Sequence, residues 1–249
     1  MAERTLRVCA LYPDLLNIYA DRGNLLLLRR RCEWRGIGFE LRGAGLGEGL
    51  DPDAHDLLYI GGGQDRDQAL CARDMVATKR DALHAAAARG AVVFAVCGGY
   101  QLLGHGYAMG AERLPGVGLV DLETVREDGP RLIGNVAIEL EDGTTLAGFE
   151  NHGGRTRLGP GAKPLGRVLR GHGNDGRSGH EGVLGGPHGT VIGTYLHGPL
   201  LPKNAHFADW LTAMALGIPQ SELAPLDDTL EAAAHAAARR AAGLGTTSG

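Results

Sequence analysis

No stretch of this 249-residue chain comes near the ~20 consecutive apolar residues that a bilayer-spanning helix needs. The apolar run near the N-terminus, Val8 to Leu11, is cut by Pro13 and Asp14 before a secretory signal core could form. Basic charge is not in excess either. The 25 Lys and Arg stand against 29 Asp and Glu, a formal net charge of -4, so neither nucleic acid nor an anionic membrane surface is expected as a direct partner. The four cysteines, Cys9, Cys32, Cys71 and Cys97, lack C-x-x-C spacing. That argues against a zinc ribbon or a disulfide framework and for reduced thiols in a cytoplasmic compartment. There is no internal repeat, and G-x-x-x-x-G-K-[ST] is missing, which leaves nucleotide binding by this chain poorly supported.

What is abundant is glycine, 41 residues, clustered at the ends of apolar runs, where loops of special backbone geometry are expected. The first half alternates strand and helix patterns. Leu6–Leu11, Gly38–Leu41, Asp56–Ile60 and Ala91–Val96 read as strands, and Gly23–Arg35 and Gln68–Arg89 as helices. Such alternation predicts an α/β fold with a mostly parallel sheet and functional loops at the carboxyl ends of its strands. From Gly116 to Thr194 the pattern changes to short runs (Arg131–Leu140, Thr144–Phe149, Val191–Tyr195), and antiparallel hairpins are expected there. Thr229–Ala242 predicts a peripheral helix leading to a frayed tail. The expected organisation is a domain over 1–218 and a C-terminal helical tail over 219–249.

Cys97-Gly98-Gly99-Tyr100-Gln101 follows the strand pattern ending at Val96 and precedes a helix expected from Tyr100 to about Gly104. A side chain on so tight a strand-to-helix turn needs small neighbours two residues away, and Ala95 and Gly99 supply them, as in the nucleophile elbow of serine hydrolases. Cys97 is therefore the candidate nucleophile, against the alternative of a core cysteine closing a strand. A thiol nucleophile needs a base. His197, where Thr194-Tyr195-Leu196 runs into Gly198-Pro199, shares the strand-end placement and is the candidate. Gly61-Gly62-Gly63-Gln64-Asp65 offers main-chain N–H groups that, with that of Gly98, could stabilise an oxyanion; a phosphate cradle and a plain turn are the competing readings. His172, His180 and His188 recur at intervals of eight, which fits no compact ligand motif, so no metal site is expected.

Cys97-Gly98-Gly99-Tyr100-Gln101 with His197 resembles the class I glutamine amidotransferases of the cobyric acid synthase-like branch. More closely, the chain resembles the GatD family of glutaminase subunits of lipid II isoglutaminyl synthase, through Leu16–Asn24, Gly61–Asp65, Glu150–Thr156, Gly173-Asn174-Asp175 with Glu181-Gly182, and Gly193–Asn204; the Asn17–Asn24 stretch is what narrows it to the cell-wall subunit. The resemblance runs from about Leu6 to Ala215 and implies a flavodoxin-like three-layer sandwich. By it, Cys97 attacks the carboxamide of L-glutamine and His197 serves as acid and base. Gly62, Gly63 and Gly98 line the oxyanion hole, and Gln101, Arg131, Asn151, His152 and Gly153 contact the substrate. Arg131 as a solvated hairpin charge, and Asn151 and His152 as turn residues, are the competing readings. Pro199 occupies the place where many relatives carry a carboxylate two residues after the histidine, so the triad looks incomplete.

The resemblance also implies a partner, since forming an amide from a carboxylate and ammonia requires activation and no ATP motif is present. That partner is a Mur-ligase-like synthase carrying ATP and Mg²⁺, which amidates the D-glutamate α-carboxylate of lipid II at the inner face of the membrane. A subunit for cobyrinate-type tetrapyrrole amidation is the alternative, although such chains usually have an ATP-dependent domain fused upstream. A silent interaction module of the same fold is the other.

Overall fold

The structure is a computed structural model, and its described residues are 4–18, 22–109 and 111–245. The first half supplies four strands: β1 (Thr5–Leu11), the more polar and largely exposed β2 (Gly38–Ala44), and the apolar β3 (Leu57–Ile60) and β4 (Val92–Val96). Every residue of β3 and β4 is buried, as befits strands covered on both faces. With β13 (Val183–Gly185) and β14 (Val191–Thr194) they make a six-stranded sheet ordered β13-β14-β4-β3-β1-β2. All neighbours in it are parallel except the β13–β14 edge pair. Val191–Thr194 does pair antiparallel with β13, as expected of a hairpin strand, and on its other side it joins the parallel sheet, in register with Val93–Val96.

The crossovers are α1 (Arg22–Trp34), α2 (Asp65–Asp74) and α3 (Arg80–Ala88), with a π-helical turn, Met75–Lys79, between the last two. The single helix expected over Gln68–Arg89 is interrupted there. The extra residue turns Lys79 inward, where its ammonium, fully buried, meets Asp74 at 2.6 Å and lies over the Tyr12 ring. A one-turn helix, α4 (Gly98–Leu102), starts directly after Cys97, two residues earlier than expected.

The second half does form hairpins. β5 (Gly106–Met109), β6 (Glu112–Pro115), β7 (Leu122–Arg126) and β10 (Gly154–Leu158) make one four-stranded sheet. β8 (Leu132–Glu139), β9 (Thr145–His152), β11 (Gly166–Arg170) and β12 (His180–Glu181) make another, fully antiparallel, with β9 at its edge. Asn151 and His152 are the last residues of β9 and not turn residues. After β14 come α5 (Leu200–Lys203) and α6 (Ala205–Ala215), then α7 (Thr229–Ala241), which rests on Ala137 and Ala147 through Ala238 and Ala242. The buried Arg31 of α1 ties α6 and the start of α7 together through Asp209 and Asp228. Among the described residues no helix is long and apolar enough to cross a membrane. The segment Tyr19-Ala20-Asp21 of the motif quoted above, and the tail beyond 245, lie outside the described residues.

Candidate active site

Cys97 has φ +50° and ψ −107°, and apart from Tyr12 it is the only non-glycine at positive φ among the described residues. An L-residue adopts this conformation only where the surroundings impose it, and here they are visible. The Cys97 N–H donates to the Thr194 carbonyl at 2.8 Å, so the turn is pinned to β14. Gly99 abuts the end of β3: a Cβ there would lie 2.6 Å from Ile60 Cγ2, 2.7 Å from Ile60 O and 2.8 Å from Gly61 O. Gly193, opposite Ala95 on β14, has the Tyr100 ring 2.1 Å from where its Cβ would be. Small residues on both sides let the chain turn this sharply and leave the thiol at the mouth of a cleft.

That cleft lies at the carboxyl ends of β1, β3 and β4. Cys97, Gly63, Gly98, Gln101, Arg131, Asn151, His152 and Gly153 line it, eight of the ten residues picked from the sequence, together with Ile18, Asp65, Gln68 and Tyr107. Gly62 and His197 are not on its walls. Gly62 lies buried behind Gly63, its carbonyl accepting the Ile18 N–H at 3.1 Å. A wider hollow between α1 and β2, rimmed by Arg22, Arg29 and Arg42, holds no thiol, imidazole or carboxylate. Chemistry, not size, distinguishes the Cys97 cleft.

The glycines of the β3 loop matter by crowding and not by unusual dihedrals, since none of Gly61, Gly62 and Gly63 has positive φ. A Cβ on Gly63 would meet Leu16 Cδ2 at 2.5 Å. One on Gly98 would sit 3.1 Å from the Gly63 nitrogen, filling the space that the two main-chain amides border. The Gln101 amide is held on both sides: its oxygen accepts from Gln68 Nε2 at 2.7 Å, and its nitrogen donates to the Tyr195 hydroxyl at 3.1 Å. Arg131 is held by Asn151, donating from Nε to the side-chain oxygen and from Nη2 to the main-chain carbonyl, both at 2.8 Å. Its Nη1 lies on the Gly153 side of the guanidinium. His152 stacks on Tyr195 with ring centroids 3.5 Å apart and hydrogen-bonds Gly154 O through Nδ1 at 2.8 Å.

His197 is buried behind these residues with its ring edge-on to Phe149 at 5.8 Å. Burial first, and then the charges of His152, Lys203 and Arg131, push its pKa down to about 4. It therefore stands neutral at neutral pH, in the state a base requires.

Sequence reasoning gave no role to the polar residues that shape the end of β14. Glu181, fully buried, accepts from the Tyr195 N–H at 2.6 Å and from the Thr194 hydroxyl at 3.0 Å. Desolvation raises its pKa to about 8 in spite of those bonds. Asn174 spans Gly182 on both its N–H and its C=O and receives the Tyr100 hydroxyl. Glu150 accepts the amides of His172 and Gly173. These residues were visible in the sequence as motif positions; their task is to hold loops in place. No group of three or more His, Cys, Asp or Glu among the described residues is placed to hold a metal ion.

Compared with known proteins, residues 7–205 match the CobB/CobQ-like glutamine amidotransferase domain. The chain is 38% identical over 213 residues to the lipid II isoglutaminyl synthase (glutamine-hydrolyzing) subunit GatD of Streptococcus pneumoniae, covering 85% of this chain and 80% of that one. It is 40% identical over 211 residues to the Staphylococcus aureus subunit of the same name, covering 83% and 84%. A cobyric acid synthase of Pelotomaculum thermopropionicum is 38% identical over 149 residues, which cover 52% of this chain and 27% of the synthase. Among solved structures, that of PurLQS from Thermotoga maritima superposes with a TM-score of 0.55 at 20% identity, over 85% of this chain and 95% of that one, a likeness of fold alone.

Proposed function

The chain belongs to the CobB/CobQ-like glutamine amidotransferase family, and on that premise we propose that it is the glutamine-hydrolysing subunit of a lipid II isoglutaminyl synthase. The observation that carries the reading is the strained Cys97 elbow opening into the cleft that gathers the candidate glutamine contacts. Similarity to the GatD subunits along more than four-fifths of this chain favours the cell-wall acceptor. The cobyric acid synthase match reaches only about half of it, which disfavours the tetrapyrrole reading. The parallel sheet with its crossover helices is read as the middle layer of a flavodoxin-like three-layer sandwich.

In this reading Arg131 pairs with the α-carboxylate of L-glutamine, its fork already aimed by Asn151. The side-chain carboxamide lies over Cys97, with Gln101, His152 and Gly153 around it. His197 takes the thiol proton, sulfur attacks the amide carbon, and the N–H groups of Gly63 and Gly98, backed by Gly62, receive the oxyanion. The C–N bond then breaks, the leaving nitrogen takes the proton from His197, and ammonia departs. Water, deprotonated by His197, cleaves the γ-glutamyl thioester and regenerates the thiol.

Ammonia passes to a Mur-ligase-like partner that carries ATP and Mg²⁺ and amidates the D-glutamate α-carboxylate of lipid II, which brings the complex to the cytoplasmic membrane face. Pro199 leaves His197 without a neighbouring carboxylate in sequence, and an imidazole with a pKa of about 4 is a weak base. An Asp or Glu supplied by the docked partner would raise its basicity and orient it. Glutaminase turnover of the chain alone and with the co-purifying ATP-dependent ligase tests this. The expected result is slow hydrolysis alone, acceleration in the complex, and loss of both in Cys97→Ala. Activity retained in Cys97→Ala overturns the reading.

A further inference from the structure

We propose that two buried asparagines, Asn24 on α1 and Asn204 after α5, are positioning residues that hold the segment carrying His197 against the Cys97 turn. The inference rests on the reading of His197 as the base.

β9 is the edge strand of its sheet: its inner side pairs with β8, and its outer side has no strand beside it. Exposed edge amides and carbonyls need partners when they are buried. On this edge the chain from His197 to Asn204 takes the place of a strand. At one end the His197 main chain pairs with that of Phe149 in both directions, at 2.9 and 3.1 Å. At the other end, two residues back along β9, the Asn204 side chain mimics a peptide. Its Oδ1 accepts the Ala147 N–H and its Nδ2 donates to the Ala147 carbonyl, both at 2.9 Å. Nδ2 also donates to the Leu200 carbonyl at 2.8 Å, and His235 Nδ1 of α7 approaches Oδ1 at 3.1 Å. Alternate residues of a strand direct their main-chain groups to the same side, so Ala147 and Phe149 together fix the register of the segment.

The opposite flank is held from α1. Asn24 Oδ1 accepts the Leu201 N–H at 2.8 Å, and its Nδ2 donates to the Tyr59 hydroxyl of β3 at 3.0 Å. The neighbouring Gly23 leaves room for the Pro199 ring, whose Cγ would be 2.7 Å from a Cβ there. Both asparagines are completely buried. The segment is thus gripped at Leu201 and Asn204, with the His197–Phe149 pair at its far end. Because β14 also accepts the Cys97 N–H, nucleophile and base hang from one frame. This gives a task to the final residue of the Leu16–Asn24 motif and to the final residue of Gly193–Asn204.

Neither asparagine lines the glutamine cleft. Their loss is expected to lower kcat on the order of 10²-fold, the effect of a displacement of about 1 Å at a reacting group, with KM for glutamine within about twofold. Steady-state glutaminase kinetics of Asn24→Ala, Asn204→Ala, Asn24→Asp, Asn204→Asp and His197→Ala in the complex decide it. Burial favours the protonated carboxyl, so Asn24→Asp keeps an acceptor for the Leu201 N–H and an O–H that donates to Tyr59 in place of Nδ2, and activity is retained. Asn204→Asp has at most one proton for the carbonyls of both Ala147 and Leu200 and loses activity. With His197→Ala inactive, wild-type kcat in both alanine variants, or raised KM at unchanged kcat, overturns the positioning role alone. Undiminished turnover in His197→Ala overturns the base assignment and this inference together. Should Asn204→Ala not fold, the contrast between Asn24→Ala and Asn24→Asp decides: equal kcat in the two contradicts the proposal.

Discussion

Acidification should destabilise this protein through His197, with a sign and size that follow from its burial. The imidazole titrates near 4 in the folded chain and near 6.5 when unfolded. Between those values the unfolded state binds a proton that the native state refuses, so stability rises with pH across the window and falls as pH drops through it. The difference of 2.5 units corresponds to about 3 kcal/mol, fully lost by about pH 4 and absent as a penalty above about pH 6.5. His206 and His235, also lowered mainly by burial, act in the same direction. Glu181, raised to about 8, acts oppositely, its contribution fading as pH rises from about 4.5 toward 8. A difference measurement removes these common contributions. Urea unfolding of wild type and His197→Gln, at about pH 7 and about pH 4.5, should show the wild type losing about 2 to 3 kcal/mol more than the variant. Parallel losses would refute the claim that burial holds His197 neutral. The same shift predicts that, in the chain without its partner, the acid limb of kcat/KM assigned to His197 lies nearer pH 4 than about 6.5.

Arg131→Ala should raise KM for glutamine about ten- to hundredfold with a smaller effect on kcat, since a charge-assisted contact of about 1.5 to 3 kcal/mol is shared by ground and transition states; unchanged steady-state constants would return Arg131 to a merely structural pairing with Asn151. Gly99→Ala should cost about 1 to 3 kcal/mol and most of the activity, because its Cβ collides with main-chain oxygens of Ile60 and Gly61 that cannot yield as a side chain does; a wild-type melting temperature and turnover would contradict the crowding argument. Lys79→Met removes one partner of a buried ion pair and leaves Asp74 with the Gly47 amide and the Tyr12 and Thr78 hydroxyls but no cation. The expected loss is about 3 to 5 kcal/mol, or about 10 °C in melting temperature by calorimetry, and a change under about 1 kcal/mol would show the pair to be dispensable.

The parallel core was legible because β3 and β4 are continuous apolar runs followed within two residues by glycine, and β1 is apolar from Val8 to Leu11, a local signal. The elbow was legible for a similar reason: Ala95, Cys97 and Gly99 lie within five residues, and the steric demand that links them is local. What escaped was set by distant pairings. Val191–Thr194 has the same texture as the hairpin strands around it, and only its register with Val93–Val96 makes it part of the parallel sheet. The π-helical turn that carries Lys79 inward has no periodicity to announce it, because its reason is Asp74 beside it and Tyr12 across the core. Gly63 was picked for the close approach of its main chain to an oxyanion, and the group that crowds it is the Leu16 side chain from another loop. Asn24 and Asn204 stood in the sequence as motif residues without a chemistry, since their partners lie far along the chain.

The central claim, that Cys97 carries the γ-glutamyl group, is tested most directly by mixing the complex with glutamine, quenching in acid and mapping the adduct by mass spectrometry. The wild-type complex, quenched during turnover, should carry a γ-glutamyl thioester on the peptide containing Cys97 and on none containing Cys9, Cys32 or Cys71. Glutamine hydrolysis with no adduct on Cys97, or with the adduct on another cysteine, would contradict the account.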